Sequence, residues 1–180
     1  TLMRKFLPEF NIETAEFHDG LDEAGMLSSL RDASKKGPVA MVFVESPANP
    51  TNSLVDFEAL NRALDIIETE TGHRPISVCD NTLMGPVFQQ VVPQGIDMAM
   101  YSLTKYVGGH SDLVAGAVCG SREMLRAVRA TRGAIGLNLD PHTSWMISRS
   151  LETLKIRMER SADSGRKVAQ WLAGNTYISA

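Results

Sequence analysis

The sequence predicts an α/β fold in which helices cover both faces of a mainly parallel sheet. Short apolar segments rich in β-branched residues alternate along the chain with segments whose apolar residues recur at helical spacing. Strands that are separated by helices usually pair in parallel, through right-handed crossovers. Such sheets are buried on both faces, so their strands are continuous apolar runs.

Four strands are predicted, in the segments 38–46, 76–81, 97–102 and 114–120. We expect the first strand to be buried on both faces, because its apolar run is continuous. The helix after it has Ser53 or Asp56 as a candidate cap and Gly72 at its end. Its apolar face consists of Phe57, Leu60, Leu64 and Ile67.

Two more helices are predicted in the second half of the chain. A short one follows Ser121, which can cap it. A single long helix is expected from Asp140, its cap, to about Gly174. We expect the apolar stripe of this helix to lack a covering layer within the chain; the stripe consists of Ile147, Leu151, Leu154 and Met158.

The composition excludes several classes of protein. The 180 residues are 43% hydrophobic and 22% charged, as in soluble globular proteins, and the net charge of −3 favours neither nucleic acid nor anionic membrane. The longest apolar run, 39–44, is too short to span a bilayer, and no signal peptide is evident, so we expect a cytoplasmic protein. Cys79 and Cys119 could form one disulfide, but we interpret both as reduced core thiols.

Polar residues follow the predicted strands at the ends where α/β sheets bind ligands. Asp80 in "CDNT" is either a turn or helix cap, or a carboxylate directed at a cationic ligand atom. Asn49 in "ESPANP" either starts a turn before its proline or contacts a ligand. The histidines are scattered without metal-ligand spacing, so no metal site is predicted.

Lys105 in "YSLTKYVGGHSD" allows several interpretations. A pairing with Ser102 of the Ser-x-x-Lys type requires a helix, which Gly108 and Gly109 would break, and a phosphate loop requires a different glycine pattern. An ordinary surface lysine and a Schiff-base lysine stay equally open on spacing alone. In the second case burial would remove the hydration of the amine and make it nucleophilic towards an aldehyde.

The combination of strand ends favours a pyridoxal 5'-phosphate (PLP) site. PLP requires a lysine for its aldehyde, a carboxylate for its ring nitrogen and donors for its phosphate. The candidates for these roles are Lys105, Asp80, Ser102 and Thr104.

Five segments together resemble the Cys/Met-metabolism family of PLP-dependent enzymes. They are "ESPANPT", "CDNT", "YSLTKYVGGHSD", "AGAVCGS" and "RSLETLKIRMER", and with their surroundings they cover about 39–169 in the order of the family. The family includes cystathionine γ-synthase, cystathionine lyases, methionine γ-lyase and O-acylhomoserine sulfhydrylases. The resemblance implies an aspartate-aminotransferase-like fold of type I.

The resemblance also implies roles for individual residues. Lys105 matches the catalytic lysine that binds the cofactor aldehyde, and Asp80 matches the partner of the pyridine nitrogen. Ser102 and Thr104 match residues at the cofactor phosphate, and Asn49 matches the asparagine near the ring hydroxyl. His110 belongs to the same block but is interpreted as structural, in contact with nearby backbone groups.

On the same resemblance, we expect residues 1–155 to belong to the PLP-binding large domain without its N-terminal part. Residues 156–180 would lead into a small C-terminal domain that is mostly missing. The implied function is γ-elimination or γ-replacement on homoserine-ester, cystathionine or methionine-type substrates, in a homodimer or homotetramer with shared active sites. The alternative is a catalytically silent fragment that serves only folding or assembly.

Overall fold

The computed structural model describes residues 2–178. A π-helical turn, Leu2–Phe6, and two 3-10 turns, Leu7–Phe10 and Val92–Gln94, accompany the main elements. The strands are β1 (Met41–Glu45), β2 (Ile76–Asp80), β3 (Met98–Ser102) and β4 (Gly116–Gly120). The helices are α1 (Glu23–Ser34), α2 (Phe57–Thr71), α3 (Gly85–Phe88), α4 (Met124–Ala134), α5 (Pro141–Leu151) and α6 (Leu154–Ala173).

The strands form one mostly parallel sheet in the order β1-β2-β3-β4, which confirms the predicted fold class. β1 and β2 pair in parallel, with Glu45 opposite Asp80. The prediction that β1 is buried on both faces was wrong, because Val42 and Val44 are buried whereas Met41 and Phe43 are exposed. β1 lies at an edge of this sheet and its side chains alternate between two faces, of which the described chain covers one.

The described chain divides into two compact units. The first unit is the chain up to Asp80 together with Val91–Ala99, and the second unit is Asn81–Gln90 together with the chain from Met100 onwards. The predicted boundary between residues 155 and 156 falls inside α6, and no observation tests that division, which stays a prediction.

In the first unit, α2 forms much of the core. The predicted face is confirmed, since Phe57, Leu60, Leu64 and Ile67 are all buried. The Asp56 carboxylate accepts a hydrogen bond of 3.0 Å from the Ala59 N–H, so Asp56 rather than Ser53 is the cap. Gly72 ends the helix with a φ of 74°, a left-handed conformation that glycine adopts without strain.

In the second unit, one buried apolar cluster joins the C-terminal helices to the chain that follows β3. Its members are Val107, Leu113, Ile147, Leu154 and Met158. The apolar stripe of the C-terminal helices was expected to lack a covering layer within the chain. This expectation was wrong for Ile147, Leu154 and Met158, which are buried in the cluster. Only Leu151 of the stripe is exposed, and it is the last residue of α5.

The single helix predicted from Asp140 to Gly174 was also wrong, because α5 and α6 are separate helices. In a continuous helix the Ser150 carbonyl would accept from the N–H four residues later. Here it accepts instead from the Thr153 N–H and from the Arg157 guanidinium, at 3.3 Å and 2.8 Å. The predicted start is confirmed, since the Asp140 carboxylate accepts from the Thr143 N–H at 2.9 Å.

The two cysteines differ in burial, and the lengths and composition of the helices can be compared with those of membrane-spanning segments. Both cysteines are free thiols, but only Cys79 is buried, so the prediction that Cys119 is a core thiol was wrong. Within residues 2–178, no helix is both long and apolar enough to cross a membrane.

Candidate functional site

The site begins with the turn that follows β3 in the second unit. The Lys105 N–H donates to the Ser102 carbonyl at 3.2 Å, and the Gly109 N–H donates to the Lys105 carbonyl at 2.8 Å. Gly109 has a φ of 82°, which strongly favours glycine at this position. The chain thus reverses directly after Lys105, and the glycine pair after the lysine allows this reversal.

Lys105 is exposed in this turn. Its ammonium makes no hydrogen bond or ion pair within residues 2–178. The burial that would desolvate the amine is therefore not supplied by the described part of the chain. The amine is accessible to a carbonyl compound that reaches the end of β3.

The two predicted phosphate donors differ in their contacts. The Thr104 hydroxyl oxygen accepts from the Ala115 N–H at 3.1 Å and lies 3.4 Å from the Ala115 carbonyl oxygen. The Ser102 hydroxyl makes no hydrogen bond among the described residues, although the Ser102 N–H donates to the Thr82 hydroxyl at 2.8 Å. Ser102 is therefore the more available donor, while Thr104 also ties the turn to the residues before β4.

Asp80 and Asn49 lie in the first unit. Asp80 is the half-buried last residue of β2, and its carbonyl accepts from the Ser46 N–H at 3.4 Å. Asn49 is exposed in the turn after β1, and its N–H donates to a Glu45 carboxylate oxygen at 3.3 Å. Because β1 and β2 are parallel, Asp80 at the end of β2 and Asn49 after the end of β1 lie at the same edge of the sheet, where the carboxyl ends of the strands meet.

The structure thus gathers Ser102, Thr104 and Lys105 in one turn of the second unit, and brings Asp80 and Asn49 to one edge of the first unit. His110 contacts the backbone as predicted, with its Nδ1 2.9 Å from the Gly108 carbonyl oxygen. Among the described residues, no group of histidine, cysteine or acidic side chains could hold a metal ion.

Residues that were not predicted as part of the site support it. Asn81 is fully buried, and its side-chain amide donates to the Gln89 carbonyl at 2.8 Å and to the Tyr101 hydroxyl at 3.2 Å. Its Oδ1 accepts from the Gln89 side chain at 2.9 Å. Asn81 and Thr82 lie inside the "CDNT" segment, but only the structure shows that their side chains bond to the backbone at Gln89 and Ser102.

The family model for Cys/Met metabolism PLP-dependent enzymes matches residues 1–180. The chain belongs to this family. Cystathionine beta-lyase of Lactococcus lactis subsp. cremoris is 34% identical over 156 residues, which are 85% of this chain and 40% of that protein. Cystathionine gamma-synthase 1, chloroplastic, of Arabidopsis thaliana is 30% identical over 178 residues, which are 98% of this chain and 30% of that protein.

A solved structure agrees with this assignment. The crystal structure of metB from Corynebacterium glutamicum matches with a TM-score of 0.87 at 28% identity, over 99% of this chain and 44% of that one. The chain spans less than half the length of each of these relatives. The resemblance to the family and the fold of type I are confirmed, and the family is PLP-dependent.

The donor set of the chain fits PLP chemically. An accessible primary amine, a half-buried carboxylate at a strand end and an available hydroxyl are the groups that bind an aldehyde, a pyridine nitrogen and a phosphate. The chain supplies them as Lys105, Asp80 and Ser102.

Proposed function

We propose that this chain carries the lysine and the ring-binding carboxylate of a PLP-dependent enzyme that performs γ-elimination or γ-replacement on sulfur amino acids. The substrates would be of the homoserine-ester, cystathionine or methionine type. The observation that carries the proposal is the turn after β3, which presents the exposed Lys105 amine directly after the Ser102 and Thr104 hydroxyls. Membership of the family supports the reaction class.

When bound, PLP supplies a protonated pyridine ring that accepts the electron pair of a bond broken at the substrate Cα. Lys105 would hold the cofactor through its side-chain nitrogen, and its amine, when free, would accept the substrate Cα proton as a general base. Asp80 would keep a proton on the pyridine nitrogen, because a carboxylate favours a nearby cation.

The remaining predicted residues orient the cofactor. The Ser102 hydroxyl would donate to the phosphate, and Thr104 would contribute when it gives up its long contact with the Ala115 carbonyl. The Asn49 side chain would contact the ring hydroxyl. γ chemistry also requires a proton to leave Cβ, and the long, exposed side chain of Lys105 would suit proton transfer at both carbons.

The choice between γ and β chemistry is open to a direct test, because one relative is named a beta-lyase and another a gamma-synthase. The protein from the complete gene, loaded with PLP, is given cystathionine. γ-Cleavage releases cysteine and 2-oxobutanoate, whereas β-cleavage releases homocysteine and pyruvate. A second assay offers an O-acylhomoserine with cysteine and measures cystathionine.

We expect 2-oxobutanoate in the first assay or cystathionine in the second, and neither with Lys105→Ala. Pyruvate as the only keto acid would contradict γ chemistry. The absence of any product in both assays would favour the silent fragment.

We further propose a homodimer or homotetramer with shared active sites. Large apolar side chains on α5 and α6 are exposed in the second unit, among them Trp145, Ile156 and Trp171 at 57%, 69% and 66%. Covering such side chains is favourable by about 25 cal/mol for each Å² removed from water.

The cytoplasmic location stays a prediction.

A further inference from the structure

Arg157 makes four hydrogen bonds that join the Lys105 turn to the start of α6. Its Nη1 donates to the Tyr106 carbonyl at 2.5 Å, and its Nη2 donates to the Val107 carbonyl at 3.0 Å. Nη2 also donates to the Ser150 carbonyl at 2.8 Å, and Nε donates to the Thr153 hydroxyl at 3.1 Å. One planar guanidinium therefore holds the backbone at the first and second residues after Lys105.

Two segments that contact Arg157, the break between α5 and α6 and the Lys105 turn, both have a local structure that allows this contact. The interruption between α5 and α6 leaves the Ser150 carbonyl available to the guanidinium. On the other side, a Cβ at Gly109 would lie 2.9 Å from the Arg157 Cζ, closer than real Cβ contacts. Gly109 therefore both allows the reversal of the turn and leaves space for the guanidinium.

The residues before Lys105 are held by the segment before β4, since the Leu103 N–H donates to the Ala115 carbonyl at 2.9 Å and the Thr104 hydroxyl accepts from the Ala115 N–H at 3.1 Å. The residues after Lys105 have fewer restraints apart from Arg157. The turn's own hydrogen bonds, from Gly108 to Leu103 and from Gly109 to Lys105, close the turn on itself. Val107 is buried in the apolar cluster with Met158, the neighbour of Arg157 on α6. The guanidinium adds directional bonds to this apolar contact, and apolar packing alone is not directional.

We propose that Arg157 is a positioning residue for Lys105, an inference that rests on the proposed function of that lysine. The guanidinium bonds to the carbonyls of Tyr106 and Val107 and fixes the backbone there, so that the Lys105 side chain projects from the turn in one direction. A lysine in place of Arg157 cannot do this fully, because a single ammonium does not match four acceptors in a planar fork.

The test uses the PLP-loaded protein from the complete gene with Arg157→Ala, Arg157→Lys and Arg160→Ala. Arg160 lies one turn further along α6, is exposed and makes no hydrogen bond or ion pair among the described residues, so its variant is the matched control. The kinetic measurements are kcat and KM. A second measurement, independent of catalysis, is hydrogen exchange at the Gly108 and Gly109 amides of the cofactor-free protein.

Arg157→Ala should lower kcat by about 10- to 100-fold with KM nearly unchanged, since a misplacement of about 1 Å can cost about 100-fold. Added guanidinium ion should restore part of the kcat of Arg157→Ala. The kcat of Arg157→Lys should lie between that of Arg157→Ala and that of the unaltered protein. Exchange at Gly108 and Gly109 should become faster, while α2 keeps its protection. Arg160→Ala should match the unaltered protein in every measurement.

An unchanged kcat in Arg157→Ala would overturn the proposal, as would a loss of activity that only follows the folded fraction. If Arg157→Ala does not fold, Arg157→Lys decides: an unaltered kcat overturns the proposal, and a lowered kcat at an unaltered melting temperature supports it. If the unaltered protein turns over no substrate, the proposed function fails. Faster hydrogen exchange at Gly108 and Gly109 in the Arg157 variants would then still show that Arg157 restrains the turn. Unchanged exchange at these amides would overturn that part of the proposal.

Discussion

Ser77 and Asp97 bond to each other in both directions. The Asp97 carboxylate accepts from the Ser77 N–H at 2.8 Å and from the Ser77 hydroxyl at 2.9 Å. The Asp97 N–H in turn donates to the Ser77 hydroxyl oxygen at 3.0 Å. Ser77 is fully buried in β2, so its hydroxyl has no water as an alternative partner. The pair therefore ties β2 to the residue that precedes β3.

Ser77→Ala should lower the free energy of unfolding by about 1–3 kcal/mol, because it removes one hydrogen bond to the Asp97 carboxylate and leaves the Asp97 N–H without its acceptor. Urea denaturation followed by circular dichroism measures the change. Ser161→Ala, at an exposed position of α6, is the control and should have little effect. Equal urea denaturation midpoints for Ser77→Ala and Ser161→Ala would show that the Ser77 hydroxyl does not stabilise the folded protein.

Lys105 should carry the cofactor. Borohydride reduction of the PLP-loaded protein, followed by peptide mapping, should place the pyridoxyl group on Lys105, because its amine is accessible at the end of β3. Lys155, which pairs with Glu159 on α6, is an internal comparison and should stay unlabelled. A label on any lysine other than Lys105 would refute the site assignment.

Asp80→Ala should leave the cofactor bound but slow the removal of the substrate Cα proton. Loss of one partner of a fully buried ion pair costs about 3–5 kcal/mol, and each 1.36 kcal/mol is tenfold in rate. Asp80 is half-buried, so we expect the lower end of this range, a decrease of about 100-fold. Exchange of the Cα proton in D2O, followed by NMR, measures this step directly. The exposed Asp112 provides the control variant, Asp112→Ala. Near-normal turnover in Asp80→Ala would mean that Asp80 is only a cap.

Cys79 should be unreactive in the folded protein. Burial raises the pKa of the Cys79 thiol from 9.0 to about 12, with a smaller rise from the Asp80 and Glu45 carboxylates. At pH 8, iodoacetamide should therefore modify Cys79 only after denaturation, whereas the exposed Cys119 is the accessible reference. Modification of Cys79 in the native state at the rate of the unfolded chain would contradict this.

The same pKa shift predicts a pH dependence of stability. Because the pKa is higher in the folded state, the contribution of the Cys79 thiol is fully present below about pH 9 and is lost as the pH rises towards about 12. The stability difference between the unaltered protein and Cys79→Ala should therefore shrink over this range.

The PLP-loaded protein from the complete gene should sediment as a dimer or tetramer, because the apolar side chains of α5 and α6 are exposed within the described chain. Sedimentation velocity at several concentrations measures the mass. A monomer that still turns over substrate would contradict the proposal of shared active sites.

Local patterns in the sequence were sufficient for much of the fold. The spacing of Phe57, Leu60, Leu64 and Ile67 determined the buried face of α2, because helical periodicity is a property of neighbouring residues. Asp56 and Asp140 cap their helices as their positions before apolar segments suggest. The block around Lys105, together with four further segments, identified the family, because a lysine, two hydroxyls and a glycine pair at fixed spacing form one specific local motif.

Other features depended on contacts between residues distant in sequence. Periodicity alone predicts one helix after Asp140, but the helix is interrupted where the Ser150 carbonyl accepts from Arg157, which also reaches Tyr106, 51 residues earlier. The exposure of Met41 and Cys119 likewise depends on which sheet face the described chain covers, and an apolar strand carries no information about this. The sequence by itself determined the family and predicted which residues carry the chemistry. Only the tertiary structure decided how the Lys105 turn is held, because a guanidinium that bonds distant carbonyls leaves no local pattern.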